Sequence, residues 1–160
     1  MKLVVLKFGG TSVADVPQIK KIALKVKKEV NHGYKVIVVV SAMAGVTNNL
    51  IDLVKSTSET TYYSEYDVVL STGEQVTSAL LASALNNLNI KARSWLGWQV
   101  PIMSDESYSK AVIEEIKTDN ILEFFKKNQV AIISGFQGLS KENRITTLGR
   151  GGSDTSAVAM

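Results

Sequence analysis

Residues 3–13 read Leu-Val-Val-Leu-Lys-Phe-Gly-Gly-Thr-Ser-Val. Leu3–Leu6 is apolar without alternation, the pattern of a strand buried on both faces in a parallel sheet. The run then gives way to a lysine, two adjacent glycines and two hydroxyls. Gly9 and Gly10 carry no Cβ, so backbone N–H groups there can approach an anion closely. Lys7 adds a point charge at the same place. The competing reading is a plain strand-to-helix turn with a surface lysine, and the heptapeptide alone leaves both open.

The pattern recurs. Val36–Val40 and Val130–Ile133 are β-branched apolar runs, and each also leads into small and polar residues: Ser41–Thr47 after the second, Ser134–Gly138 after the third. Between the first two runs, Ile19, Ile22, Ala23, Val26 and Val30 recur at helical spacing. Lys20, Lys21, Lys25, Lys27 and Lys28 fill the rest of that wheel as a solvated face, and Asn31-His32-Gly33 closes it. Strand, helix, strand is a βαβ unit, right-handed in its crossover. The expected fold is α/β, a three-layer α/β/α sandwich around a mainly parallel sheet. Ligands in open sheets of this kind bind where strands end at their carboxyl ends, so three such loops would make one polar floor.

Further elements follow by the same periodicities. Helices are expected over Asn48–Lys55, Glu74–Leu88, Ser109–Ile116 and Asn120–Lys127, and a strand over Ile90–Trp95. Ser56–Ser64 reads as a surface loop. Ser140–Asn143 reads as a tight turn between short strands. Residues 155–160 begin a helix with Ser153 or Asp154 as its N-cap. No internal repeat or linker interrupts the 160 residues, a length that suits one domain with a real core.

Composition narrows the function. The apolar share of 45% and charged share of 21% are those of a soluble globule. The net charge of +3 suits an anionic small substrate and is too small and too dispersed for a nucleic-acid partner. No uninterrupted apolar run reaches the ~18 residues of a membrane span, and the first residues lack the form of a signal peptide. Cysteine is absent, which excludes disulfides and thiolate chemistry, and His32 is the single histidine. A cytoplasmic enzyme or binding protein is the expectation.

Two other stretches can carry chemistry. Glu74, in Ser71-Thr72-Gly73-Glu74-Gln75, has capping-box spacing from Ser71; its carboxylate can instead face a cleft and hold a substrate ammonium. Gly149-Arg150-Gly151-Gly152-Ser153-Asp154 sets three glycines around an arginine at a helix start, an anion site by backbone N–H groups and helix dipole. Arg150 suits a carboxylate gripped bidentately. Neither a Walker-type loop nor G-x-G-x-x-G is present. Trp95 and Trp98 read as core or cleft-wall residues. Asp105 and Glu106 lack the further ligands a metal would need, so no metal site is expected.

Taken together, Lys7–Val13, Val38–Met43, Ser71–Gln75, Gly97–Gln99, Gly135–Gly138 and Thr146–Asp154 resemble the N-terminal part of the aspartate kinase family, within the amino-acid kinase superfamily. The stretches stand in that family's order and cover essentially the whole chain. The resemblance implies transfer of phosphate from ATP, with Mg2+, to the β-carboxylate of L-aspartate, giving 4-phospho-L-aspartate on the way to lysine, methionine and threonine. It implies catalytic roles for Lys7 and Asp154. It implies phosphate or ATP contacts from Lys7, Gly9, Gly10, Ser12 and Ser41. It implies substrate contacts from Thr47, Glu74, Arg150, Gly151, Gly152, Ser153 and Asp154. Family members continue past this last segment into most of the adenine-nucleotide site and then regulatory ACT domains. The chain is therefore expected to be the N-terminal, amino-acid-binding portion of the kinase domain, without an ACT domain. Two alternatives stay open. One is an incomplete fragment or split-gene product that binds aspartate or complements a second chain, and the other is a kinase for a different acid. Glu74 together with the arginine loop argues against the latter. Partners are L-aspartate and ATP, with neither nucleic acid nor membrane; a second chain or a homo-oligomer is left open.

Overall fold

The computed structural model describes residues 2–160. Strand β1 (Leu3–Phe8) enters a turn and helix α1 (Val16–Asn31), then β2 (Lys35–Val40). The Asp15 side chain caps α1 by accepting the Gln18 N–H at 2.8 Å, and Pro17 lies in its first turn. The five apolar residues of its periodic stripe are the ones buried. His32 ends the helix, its N–H donating to the Lys28 carbonyl, and Gly33 follows at φ 87°.

Helix α2 (Val46–Thr57) leads to α3 (Tyr63–Leu70) and α4 (Thr72–Asn87), so the expected loop at 56–64 shrinks to 58–62. The stretch Tyr63–Asn87 holds an 18-residue window of mean hydropathy 1.2, long and apolar enough to cross a membrane by composition. This qualifies the expectation that nothing in the chain is of spanning length. Half of that window is buried inside the domain, as in the core helix of a globule. Then come β3 (Ala92–Trp95), β4 (Ile102–Ser104), β5 (Ile113–Ile116), α5 (Asp119–Phe124), β6 (Val130–Ser134), β7 (Gln137–Leu139), β8 (Ile145–Thr147) and α6 (Gly152–Ala159). The helix expected at Ser109–Ile116 is a correction: residues 113–116 form a strand antiparallel to β4.

The main sheet has the order β1-β2-β6-β3 and is parallel throughout. Its two faces build two cores. Val36, Val38, Val40, Val130 and Ile132 face α1 and α4, meeting Ile22, Val26, Leu81 and Leu85. Ile37, Val39, Ala131 and Ile133 face the other way, toward Trp95, Ile102, Ile121 and Phe125. Each such side chain contributes ~1.5–3 kcal/mol on burial, which is why these runs need no polar alternation. The result is the expected three-layer α/β arrangement. A second, smaller sheet, order β5-β4-β7-β8, flanks it, and Asn143 (φ 58°) closes the tight turn between β7 and β8.

Candidate active site

The three loops at the carboxyl ends of β1, β2 and β6 meet. The Ser41 N–H donates to Phe8 O and the Gly135 N–H to Val40 O, at 3.2 and 3.0 Å. Beside them the short sheet brings β8 and the arginine loop. A cleft of about 660 Å³ lies between, walled in part by Gly10, Ser41, Thr47, Glu74, Arg150, Gly151, Gly152 and Ser153. Those eight candidates from sequence are thus brought together. Lys7, Gly9, Ser12 and Asp154 are not in the wall. Ser12 is exposed, its N–H closing the turn on Gly9 O at 2.9 Å. Lys7 Nζ instead holds Asp154 Oδ1 at 2.8 Å, next in sequence to the cleft residue Ser153. A Cβ on Gly10 would stand 3.1 Å from Ala42 O, so the glycine lets this turn press against the β2 loop.

Glu74 is not a cap. Ser71 is itself helical (φ −60°, ψ −18°), makes no capping bond, and donates its hydroxyl to Val68 O. The near-continuity of α3 into α4 leaves no free helix end to cap. Glu74 is buried, 4% exposed; its Oε1 accepts the Ala42 N–H at 3.0 Å. Oε2 is buried with no hydrogen-bond partner among the described residues. Burial pushes its pKa up to about 7, against the pull of the Ala42 amide.

The arginine loop leaves β8 with Leu148 N–H bound to Phe136 O at 2.9 Å. Gly151, at φ 78°, is the residue before α6, so the expected cap at Ser153 or Asp154 moves two to three residues earlier. At this φ only glycine is free of strain. Ser153 and Asp154 sit in the first turn and reach across instead: Ser153 Oγ bonds Ser41 Oγ at 2.8 Å, and Asp154 takes Lys7. Arg150 itself is exposed.

Sequence reasoning missed Tyr66 and Ser109, both in the wall, and Asp67 behind it; Phe136 and Thr147, also in the wall, lie in stretches it singled out without being named themselves. The one legible signal was an aspartate inside the apolar helical stretch Tyr66–Leu70. The minor candidates are structural. Trp95 is buried, edge-on to Phe124 at 5.5 Å. Asp105 binds its own loop through Val112 N–H and Ser107, and the Val112 bond leads in holding its carboxyl below the usual range.

Comparison with known proteins places the chain in a family. The model of the Amino acid kinase family matches residues 2–160. An aspartokinase of Rickettsia felis is 55% identical over all of this chain, which covers 41% of that protein. The crystal structure of aspartate kinase from Synechocystis superposes at TM-score 0.83 with 43% identity, over 99% of this chain and 26% of that one. E. coli aspartokinase III, solved in complex with aspartate and ADP, shares the fold at TM-score 0.82 and 24% identity, over 96% of this chain and 45% of its own. The chain thus spans about two fifths of the length of the curated relatives it matches.

Proposed function

This chain belongs to the amino acid kinase family, and from that premise we propose that its cleft is the aspartate site of an aspartate kinase. The reaction moves the γ-phosphoryl group of ATP to the β-carboxylate of L-aspartate, giving 4-phospho-L-aspartate and ADP, the first step toward lysine, methionine and threonine. The aspartokinase relatives support the substrate, and one observation in the site carries it: a buried carboxylate oxygen of Glu74 without a partner shares a cleft with Arg150. An α-amino acid presents the matching pair, an ammonium and a carboxylate.

In this reading Glu74 Oε2 receives the ammonium and Arg150 the α-carboxylate, with Ser41, Thr47, Gly151, Gly152 and Ser153 shaping the floor. Lys7 exchanges Asp154 for the transferring phosphate, over the bare turn of Gly9 and Gly10. Phosphoryl transfer asks for positioning and neutralised charge rather than covalent help. Mg2+, brought in with the nucleotide, would supply further neutralisation of phosphate charge beside Lys7.

The pH dependence has a definite sign. Folded Glu74 holds its proton more tightly than an ordinary glutamate at 4.5. Its contribution to stability is therefore full below about 4.5 and is lost as pH rises through about 7, by roughly 3 kcal/mol. A ligand ammonium offsets that loss, so it binds the ionised form. Calorimetric titration should show L-aspartate bound about tenfold more weakly at pH 6 than at pH 8. Glu74→Gln should flatten the profile and weaken binding at pH 8. Arg150→Ala should weaken aspartate by about 10- to 100-fold, and Lys7→Ala should lower turnover while sparing aspartate affinity. A flat profile with Glu74 intact overturns the assignment. A second reading is an aspartate-binding chain that turns over only with a second chain. A hydroxamate assay with and without that complement separates the two.

A further inference from the structure

Asp67 has no role in the reading above, yet it is fully buried and makes four hydrogen bonds. Its Oδ2 accepts the Thr147 N–H at 2.8 Å and its Oδ1 the Thr147 hydroxyl at 2.7 Å. Both oxygens accept the Ser109 N–H, at 3.0 and 2.9 Å. One carboxylate on α3 thus holds two segments that are remote in sequence, and Thr147 and Ser109 both reach the cleft wall.

These anchors sit at sensitive places. Ser109 is held at φ 67°, a backbone region that a serine rarely adopts. Thr147 is the last residue of β8, three before Arg150. Between them the Ala111 N–H donates to Thr147 O at 2.9 Å. Gly149 lies so close that a Cβ there would stand 3.2 Å from Ser109 O and 3.3 Å from Lys110 Cα. The arginine loop is therefore pressed onto the 107–111 turn, and Asp67 is the clasp that joins them. Its burial favours the neutral acid, and the donated bonds favour the anion.

We propose that Asp67 is a positioning residue for the Arg150 loop: by clasping Thr147 and Ser109 it sets the arginine against the ligand's α-carboxylate. This rests on the aspartate reading of the cleft. Asparagine is the same size as aspartate, but the Ser109 N–H touches both carboxylate oxygens, so the amide NH2 faces that donor in either orientation and at least one of these bonds is lost. In calorimetric titration, Asp67→Asn should weaken L-aspartate by about 10- to 100-fold. If it acts through Arg150, the double variant Asp67→Asn/Arg150→Ala should bind no worse than Arg150→Ala alone.

A ligand pair gives the readout that a merely structural defect would not move. β-Alanine is aspartate without its α-carboxylate. The preference for L-aspartate over β-alanine should collapse in Asp67→Asn as it does in Arg150→Ala, while a general loss of fold would weaken both ligands alike. Should Asp67→Asn not fold, Thr147→Val removes a single bond and should show the same loss of preference, smaller in size. Additive losses in the double variant, or an unchanged preference, overturn the inference and leave the aspartate reading standing. A wild-type chain that binds no L-aspartate overturns that reading and takes this inference with it.

Discussion

The two sheets of this molecule are encoded differently. The centre of the parallel sheet, β2 and β6, is written in near-continuous apolar runs: every residue of β6 is buried, as are five of the six in β2. The small sheet has strands of three or four residues. Polar bonds hold it: Ser104 Oγ to Thr146 Oγ1 at 2.6 Å, Gln137 to Gly97 and Ser71, and Asp67 to Thr147. The cleft lies between the two. Its glycine turns hang on a self-sufficient sheet, and its arginine loop hangs on one whose geometry depends on partners far away in sequence.

The largest test strikes the parallel sheet. Ile132→Ala deletes a fully buried side chain and should cost about 2–5 kcal/mol, lowering the denaturant midpoint for the whole chain. A small, local effect there would break the contrast. Gly138→Ala strikes the other sheet. Its Cβ would stand 2.5 Å from Thr146 Oγ1 and 2.9 Å from Ser104 Oγ. The expected cost is about 1–3 kcal/mol, with faster amide exchange in β7 and β8 and unchanged exchange in β2 and β6. Lys141→Ala removes the exposed pair with Glu114 (3.3 Å) on the small sheet's rim. It should shift stability by no more than about 0.5 kcal/mol; a larger shift would mean that charge, not hydroxyl bonding, holds this sheet.

The same contrast explains what could be read from the sequence. β1, β2, β6 and the buried stripe of α1 were legible because apolar runs and helical spacing are local signals. Ile113 and Ile116 misled, because apolar residues three apart read as a helix. The register of β5 against β4 shifts between Met103 and Ser104, and this irregularity leaves both isoleucines half-buried against one core despite the strand's period of two. For Glu74, spacing alone left a cap and a cleft-facing carboxylate both open. Its spacing from Ser71 fits a cap, and only the run of α3 into α4 shows that no helix end exists there. Asp67 stands out as an acid in an apolar stretch, but its role was illegible because its partners lie 42 and 80 residues away.

The bond between Lys7 and Asp154 makes the threshold cation conditional. An anion arriving at Lys7 displaces a carboxylate rather than water. A singly charged ion gains little by that swap, whereas a polyphosphate tail brings several negative charges to the contest. Under the proposed function this partly exposed pair, worth about 0–1 kcal/mol, would only tilt the lysine toward the more highly charged visitor.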